Sequence, residues 1–269
     1  MSTGWEIEHR GHFDDIVQTY DGIRPEYPSE LIADLISYAG AGRRALEIGA
    51  GTGKATMPFL EAGYDVTAVE IGENMVEFLK ARFADCTHFR AVNGAFEDVE
   101  LPDGSFDLIY AATAFHWVDA KRGCPKAYQL LKPGGSFALF RYTALPGFGD
   151  PLYDDIQSVY EQYYHKPYRR PKALAREDFN TPVEIHRGFR FSDMAAYGFE
   201  DITMKLYDGS RSFDVDSYLR LLDTFSDHKV LPAADREALY QGVADAINRH
   251  GGSLTVDYIF QLYMGRKAM

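Results

Sequence analysis

The chain has 269 residues, with 28 Lys and Arg against 40 Asp and Glu, a formal charge of −12. Its 46% hydrophobic and 25% charged content is that of a folded globular protein, and the acidic balance disfavours a nucleic-acid backbone or an anionic membrane surface as the main partner. Cys86 and Cys124 are too few for a disulfide framework and lack metal-ligand spacing. Residues 1–12 are polar and no apolar run approaches about 18 residues, so the expectation is a cytoplasmic protein that does not span a membrane.

The predicted elements begin with helix over residues 12–38, broken at Pro25 and Pro28 and restarted under a Ser29 cap. Leu31, Ile32, Leu35 and Ile36 carry its apolar face. Ala45-Leu46-Glu47-Ile48 is a short apolar run that ends in glycines, as a buried strand does. Helix follows over 54–62, closed by Gly63, then a strand over Asp65–Val69 and a helix over 73–84 with Met75, Phe78, Leu79 and Phe83 on one face. Strands are expected at His88–Val92 and Phe106–Ala111, a helix at 120–131, and a fifth strand at Phe137–Arg141 after Pro133-Gly134-Gly135.

This alternation predicts an α/β protein with a doubly wound, mostly parallel sheet and a ligand crevice beyond the carboxyl ends of its strands. After Tyr142 the regularity stops. Helical stretches are expected near 151–164, 192–197, 214–226 and 233–250, with strands at 199–207 and Thr255–Met264. The whole of 1–269 reads as one domain. Residues 12–142 form its cofactor-binding core, and 143–198 and 212–250 are candidate substrate-side cover.

The strongest local signal is Glu47-Ile48-Gly49-Ala50-Gly51-Thr52-Gly53 between a strand and a helix. Glycines there let backbone N–H groups approach a ligand closely, although a tight strand–helix turn without a ligand has the same pattern. Gly49 and Gly51 fit the start of a dinucleotide fingerprint, but Lys54 stands where its third glycine belongs, which disfavours a nicotinamide-dependent oxidoreductase. Glu70, at the end of the next strand, is placed to accept hydrogen bonds from both hydroxyls of a ribose.

Further ordered motifs are Gly94-Ala-Phe-Glu-Asp98, Leu101-Pro-Asp-Gly-Ser-Phe-Asp107 and Leu130-Leu-Lys-Pro-Gly-Gly135. Taken with the glycine loop, Glu70 and Met75, they make residues 12–142 resemble the class I S-adenosylmethionine-dependent methyltransferases. Tyr20-Asp-Gly-Ile-Arg-Pro-Glu-Tyr-Pro28 and Ala114-Phe-His-Trp117 are similar to the small-molecule branch that includes the trans-aconitate methyltransferase type.

The resemblance implies a seven-stranded sheet ending in an antiparallel pair, and S-adenosylmethionine as cofactor, released as S-adenosylhomocysteine, with no metal. By position, Glu47, Gly49, Ala50, Gly51, Thr52 and Gly53 would hold its amino-acid part and Glu70 its ribose. Ile71 and Met75 would pack on the adenine face, and Phe96 and Glu97 beside the adenine edge. Ala95 stands where many relatives carry an Asp or a hydroxyl residue. Tyr20 and Arg24 belong to a segment that folds over the cofactor in such enzymes.

On the acceptor side the candidates are Arg24, Tyr27, His116, Trp117 and Arg141. Arg24 and Arg141 suit a carboxylate, and His116 has the ordinary pKa of a general base. Each also has a plain structural alternative, an ion pair or a packed wall. The implied activity is methyl transfer to a small-molecule acceptor, a carboxylate or a hydroxyl. A non-catalytic S-adenosylmethionine-binding protein has the same motifs, and no Asn-Pro-Pro-Tyr-like tetrapeptide supports a nucleic-acid methyltransferase. The oligomeric state stays open.

Overall fold

The computed structural model describes residues 22–165, 174–180, 184–186 and 189–269. Tyr20 and the first part of the helix expected over 12–38 lie outside the described residues. The chain starts with helix α1 (Ser29–Ala39), strand β1 (Arg44–Ile48), helix α2 (Thr56–Glu61) and strand β2 (Asp65–Glu70). Helix α3 (Glu73–Arg82), β3 (Phe89–Asn93), β4 (Phe106–Ala112), α4 (Ala120–Leu130) and β5 (Leu131–Ala144) follow. The remainder includes α5 (Pro151–Tyr160), β6 (Phe199–Asp214), α6 (Val215–Asp223), α7 (Ala233–Arg249) and β7 (Ser253–Lys267), besides short helical turns and a two-stranded hairpin at Glu184–His186 and Phe189–Arg190.

These strands form a seven-stranded sheet in the order β3-β2-β1-β4-β5-β7-β6. The pairs β1–β2, β1–β4, β2–β3 and β4–β5 are parallel, while β7 runs antiparallel to both β5 and β6. This is the doubly wound, mostly parallel sheet that the alternating pattern predicts. Its order reverses between β1 and β4, and a crevice opens there at the carboxyl ends of the strands.

Side chains alternate across the sheet and build two cores. Leu46, Ile48, Ile109, Phe137 and Leu139 lie in one with α4. Ala45, Tyr110, Ala138 and Phe140 lie in the other with Leu31 and Leu35 of α1 and Phe59 of α2. A third cluster joins Leu152 and Ile156 of α5 to Leu222 of α6 and Leu239, Val243 and Ile247 of α7. Parts of the two stretches expected as cover, α5 from one and α6 and α7 from the other, thus pack together.

Caps account for several helix starts. Asp119, Asp150 and Asp214 each accept a hydrogen bond from a backbone N–H of the following turn, at 2.8–3.0 Å. Ser29 is not a cap, because Pro28 holds the cap position and makes no side-chain bond. Helix α2 is shorter than expected, since the glycine loop occupies the chain up to Ala55. In α3 the buried face is Met75, Val76 and Leu79, with Phe78 half-buried. Strand β6 and the end of β5 run beyond the predicted spans because β7 pairs with Phe199–Asp214 and Ser136–Ala144, while the start of β5 pairs with β4 at Leu131.

Phe59 stacks on Tyr110 with centroids 4.3 Å apart and meets Tyr64 edge-on at 5.5 Å, all three inaccessible to solvent. Replacing Phe59 by Ala should lower the unfolding free energy in urea by about 3–5 kcal/mol, through the lost apolar burial and the cavity left behind.

Candidate functional site

The site is built on the β1–α2 turn. Gly49 has φ 69°, and a Cβ there would lie 2.6 Å from Cβ of Ala114, so a side chain is excluded by both backbone and neighbour. Gly51 has φ 55° and nothing within 4 Å of its would-be Cβ, which leaves its backbone open to the cleft. Gly51 N donates to Glu70 Oε2 at 2.8 Å, and Gly72 N donates to Glu70 Oε1 at 3.0 Å. The Glu70 carboxylate therefore sits at the mouth of the glycine turn, not in bulk solvent.

A cleft of about 1050 Å³, partly open to solvent, surrounds this point. Its walls include Glu47, Gly49, Ala50, Gly51, Thr52, Glu70, Ile71, Met75, Phe96 and Glu97, and also Arg24, Tyr27 and Trp117. Glu97 Oε1 accepts from Asp119 N at 3.0 Å, which holds the Phe96–Glu97 turn against α4.

Among the described residues, three predicted ones are not in these walls. Gly53 has its would-be Cβ packed against Phe83 and Leu79, so it serves close helix packing. His116 is the middle residue of a 3₁₀ turn, Phe115–Trp117. Successive residues of such a turn point about 120° apart. Phe115 enters the core and Trp117 the cleft, leaving His116 on a third side. Arg141 is displaced by strand alternation, because Tyr142 takes the cleft side of β5. Its guanidinium donates to Thr143 Oγ1 at 2.9 Å, and burial pulls its pKa below the usual arginine value.

The walls also contain residues with no predicted role: Lys54, Thr113 and Tyr142. Lys54 was visible only as a departure from the third glycine. Tyr142 follows from taking β5 one residue further. Thr113 has no signal in sequence. It is a β-branched residue at φ 53°, and its hydroxyl bonds Tyr27 Oη at 2.7 Å. Arg24 donates to Tyr142 Oη at 3.1 Å and to the Thr224 carbonyl at 2.8 Å, and its guanidinium lies 4.7 Å from the Phe225 ring centroid. Arg211 donates to the carbonyls of Gly22 and Arg24, which fastens the 22–28 segment beside the cleft.

Glu47 is buried, with Oε2 accepting from Thr56 Oγ1 at 2.5 Å and Tyr110 Oη at 3.0 Å. Burial pushes its pKa up to about 8, and the nearby Glu70 charge adds to the rise. Its Oε1 and the hydroxyl of Thr52 are buried with no hydrogen-bond partner among the described residues, and both residues line the cleft. Unused polar atoms of this kind mark a place for a polar ligand. The cleft thus offers an acid and a hydroxyl near the glycine turn, a carboxylate at Glu70, and an apolar slot of Ile71, Met75 and Phe96. These residues fit the amino-acid, ribose and adenine parts of S-adenosylmethionine in that order.

Comparisons with known proteins give the class. Residues 46–139 match the family described as a methyltransferase domain. An uncharacterised methyltransferase of Mycobacterium tuberculosis is 39% identical over 127 residues, covering 47% of this chain and 50% of that one. The chain thus spans about half the length of that curated relative. An uncharacterised methyltransferase of Schizosaccharomyces pombe is 24% identical over 236 residues, 86% of this chain and 85% of that one. Among solved structures, one from Anaeromyxobacter dehalogenans, provisionally described as a type II methyltransferase, superposes with a TM-score of 0.62. It is 22% identical, over 91% of this chain and 99% of that one, and shows the fold. Residues 46–139 thus match a methyltransferase domain, and the chain shares the Rossmann-like fold of such proteins. No helix among the described residues is long and apolar enough to cross a membrane.

Two outcomes follow from this geometry. Glu70→Ala removes the acceptor of two backbone N–H groups and of any ribose hydroxyl, so the affinity for S-adenosylhomocysteine in titration calorimetry should fall about 10–100-fold. Glu47, protonated in the free protein below about pH 8, should lose its proton when a ligand ammonium arrives beside Oε1, because an opposite charge lowers a carboxyl pKa. Binding at pH 7 should then release close to one proton, measured in buffers of different ionisation enthalpy. Affinity should rise with pH up to about 8, and both effects should vanish in Glu47→Gln.

Proposed function

We propose that the chain catalyses S-adenosylmethionine-dependent methyl transfer to a small-molecule acceptor, with a carboxylate as the favoured accepting group and a hydroxyl as the alternative. The observation that carries the reading is the Glu70 carboxylate bonded to Gly51 N at the mouth of the glycine turn, in a cleft that has unused polar atoms at Glu47 and Thr52. The bound cofactor supplies an electrophilic methyl group on a sulfonium, which leaves as a neutral thioether.

The chain's own part in this reaction is alignment. Glu47, Thr52 and Glu70 hold the cofactor, and Ile71, Met75, Phe96 and Glu97 flank its base. Tyr27, Trp117 and Tyr142 wall the side from which an acceptor approaches. Holding the reacting atoms about 3 Å apart and in line, with water excluded, supplies most of the acceleration in such a displacement.

A carboxylate acceptor needs no base at neutral pH, which agrees with His116 standing outside the cleft walls. Its charge needs a partner. Arg141 at the tip of β5 faces no carboxylate within ion-pair distance among the described residues. The Gln261 opposite it across β7 has both amide atoms buried without a hydrogen bond among them. That pair lies on the face of β5 opposite Tyr142 and outside the cleft walls, so Arg141 does not serve as that partner, and the carboxylate reading rests on His116 standing outside the walls. The resemblance to the trans-aconitate methyltransferase type points the same way.

A screen of small carboxylates, alcohols and amines with labelled methyl donor should give label transfer to at least one carboxylate. S-adenosylhomocysteine binding with no transfer across the panel would instead leave a non-catalytic binding protein. His116→Ala should lower kcat by less than tenfold, whereas loss of a general base costs about 10²–10⁴-fold.

A further inference from the structure

Gly94, Ala95, Phe96 and Glu97 line the cleft in succession, on the turn that follows β3. The start of this turn is tied to the tip of β2, where Gly94 N donates to the Glu70 carbonyl at 2.9 Å. Within it, Asp98 N and Val99 N both donate to the Ala95 carbonyl, at 2.9 and 3.1 Å. After Val99 the chain has neither helix nor strand until β4 begins at Phe106, so no sheet ladder holds the far end of the turn.

Helix α4 holds it instead. Three consecutive residues of the turn meet that helix: Glu97 Oε1 accepts from Asp119 N at 3.0 Å, Asp98 pairs with Arg122 at 2.6 Å, and the Val99 carbonyl accepts from Lys126 Nζ. Positions 119, 122 and 126 follow one stripe of a helix. The two cationic contacts are not equal. Arg122 and Asp98 are both more than half exposed, and water screens an ion pair in that setting until it contributes little. Lys126 is half-buried, its charge lies 5.5 Å from the Phe96 ring centroid, and Phe96 is 3% exposed. A charge-assisted hydrogen bond and a cation–π contact gain strength where water is kept away.

Both contacts of Lys126 land on the turn, and Lys126 itself is not one of the cleft walls. The turn in its grip brings no polar side chain at Ala95, and Glu97 Oε1 is engaged by Asp119 N. A base lying in the slot of Ile71, Met75 and Phe96 therefore meets mainly backbone at this edge. Backbone groups have no rotamers with which to adapt, so they read a base only where the turn is fixed.

We infer that Lys126 is a positioning residue for the cofactor's base: acting through Phe96 and the Val99 carbonyl from outside the cleft, it fixes the turn that distinguishes adenine from another purine of the same size. This rests on the reading of the cleft as an S-adenosylmethionine site and adds a residue that does not touch the ligand.

Two probes test it. S-adenosylhomocysteine carries adenine. In S-inosylhomocysteine a carbonyl replaces the adenine amino group, which reverses the hydrogen bonding of that edge and leaves the sugar and tail unchanged. Both are titrated calorimetrically against the full chain and its Lys126→Met, Lys126→Arg and Arg122→Ala variants, with thermal melts alongside. The unmodified chain should prefer S-adenosylhomocysteine by at least about tenfold. Lys126→Met should weaken S-adenosylhomocysteine about 5–20-fold and S-inosylhomocysteine by less than about twofold. Lys126→Arg should restore most of the preference, and Arg122→Ala should leave it within about twofold. Lys126→Gln carries the same expectation as Lys126→Met should the latter fail to fold.

Unchanged affinities in Lys126→Met overturn the inference. So does an equal loss for both probes, which marks a general structural role, and so does an unmodified chain that binds both probes equally. If the unmodified chain binds neither probe, the cofactor reading itself fails, and that result is distinct from all the others.

Discussion

The hydrogen bond from Gly51 N to the Glu70 carboxylate ties together the two strand tips on which the site is built. Glu70 also accepts from Gly72 N, so one side chain fixes the turn after β1 and the start of α3 at once. A carboxylate that accepts two backbone N–H groups is held in one orientation. Gly49 N adds a backbone bond to the Val69 carbonyl at 2.8 Å, so the ladder holds the start of the turn to β2 and the Glu70 bridge holds its middle.

Around that bridge the two faces of the sheet do different work. One face buries α4 and carries the Phe96–Trp117 side of the cleft. The other buries α1 and α2 and brings Tyr27, Tyr110 and Tyr142 together with the buried Glu47. The helical layer of α5, α6 and α7 touches the site through the turn after α6, where Thr224 and Phe225 receive Arg24. The segment bearing Arg24 and Tyr27 is thus bound to the sheet through Arg211 and Thr113 and to the helical layer through its own guanidinium.

Burying Glu47 without an ionic partner is costly for a carboxylate, and holding its proton is how the free protein avoids that cost. The same burial makes the site selective. A ligand that brings an ammonium restores the charge, whereas a neutral ligand does not. Thr113 carries a comparable burden in its backbone, since a β-branched residue at positive φ is strained by about 1–3 kcal/mol. That strain places its hydroxyl on Tyr27 at the cleft wall.

Much of the fold and half the site are written in local patterns. Apolar runs that end in glycine set β1 and the turn after it, and alternation of strands with helices set the parallel sheet. The glycine spacing together with an acid on the next strand placed Gly49, Gly51 and Glu70 because each acts through its own backbone or its immediate neighbour. The lengths of β5 and β6 were not legible, since the far end of β5 and the whole of β6 are held by pairing with β7, more than a hundred residues further on for β5.

Side-chain direction was decided by tertiary structure alone. His116 and Arg141 have suitable chemistry, but the phase of one 3₁₀ turn and the pleat of one strand point Trp117 and Tyr142 into the cleft instead. Lys54 and Thr113 enter it from positions whose residue types announce nothing. A sequence fixes which groups a chain carries and which local turns it can make. Which of those groups share a cleft depends on rotations of about 120° or 180° per residue, set by packing against distant elements.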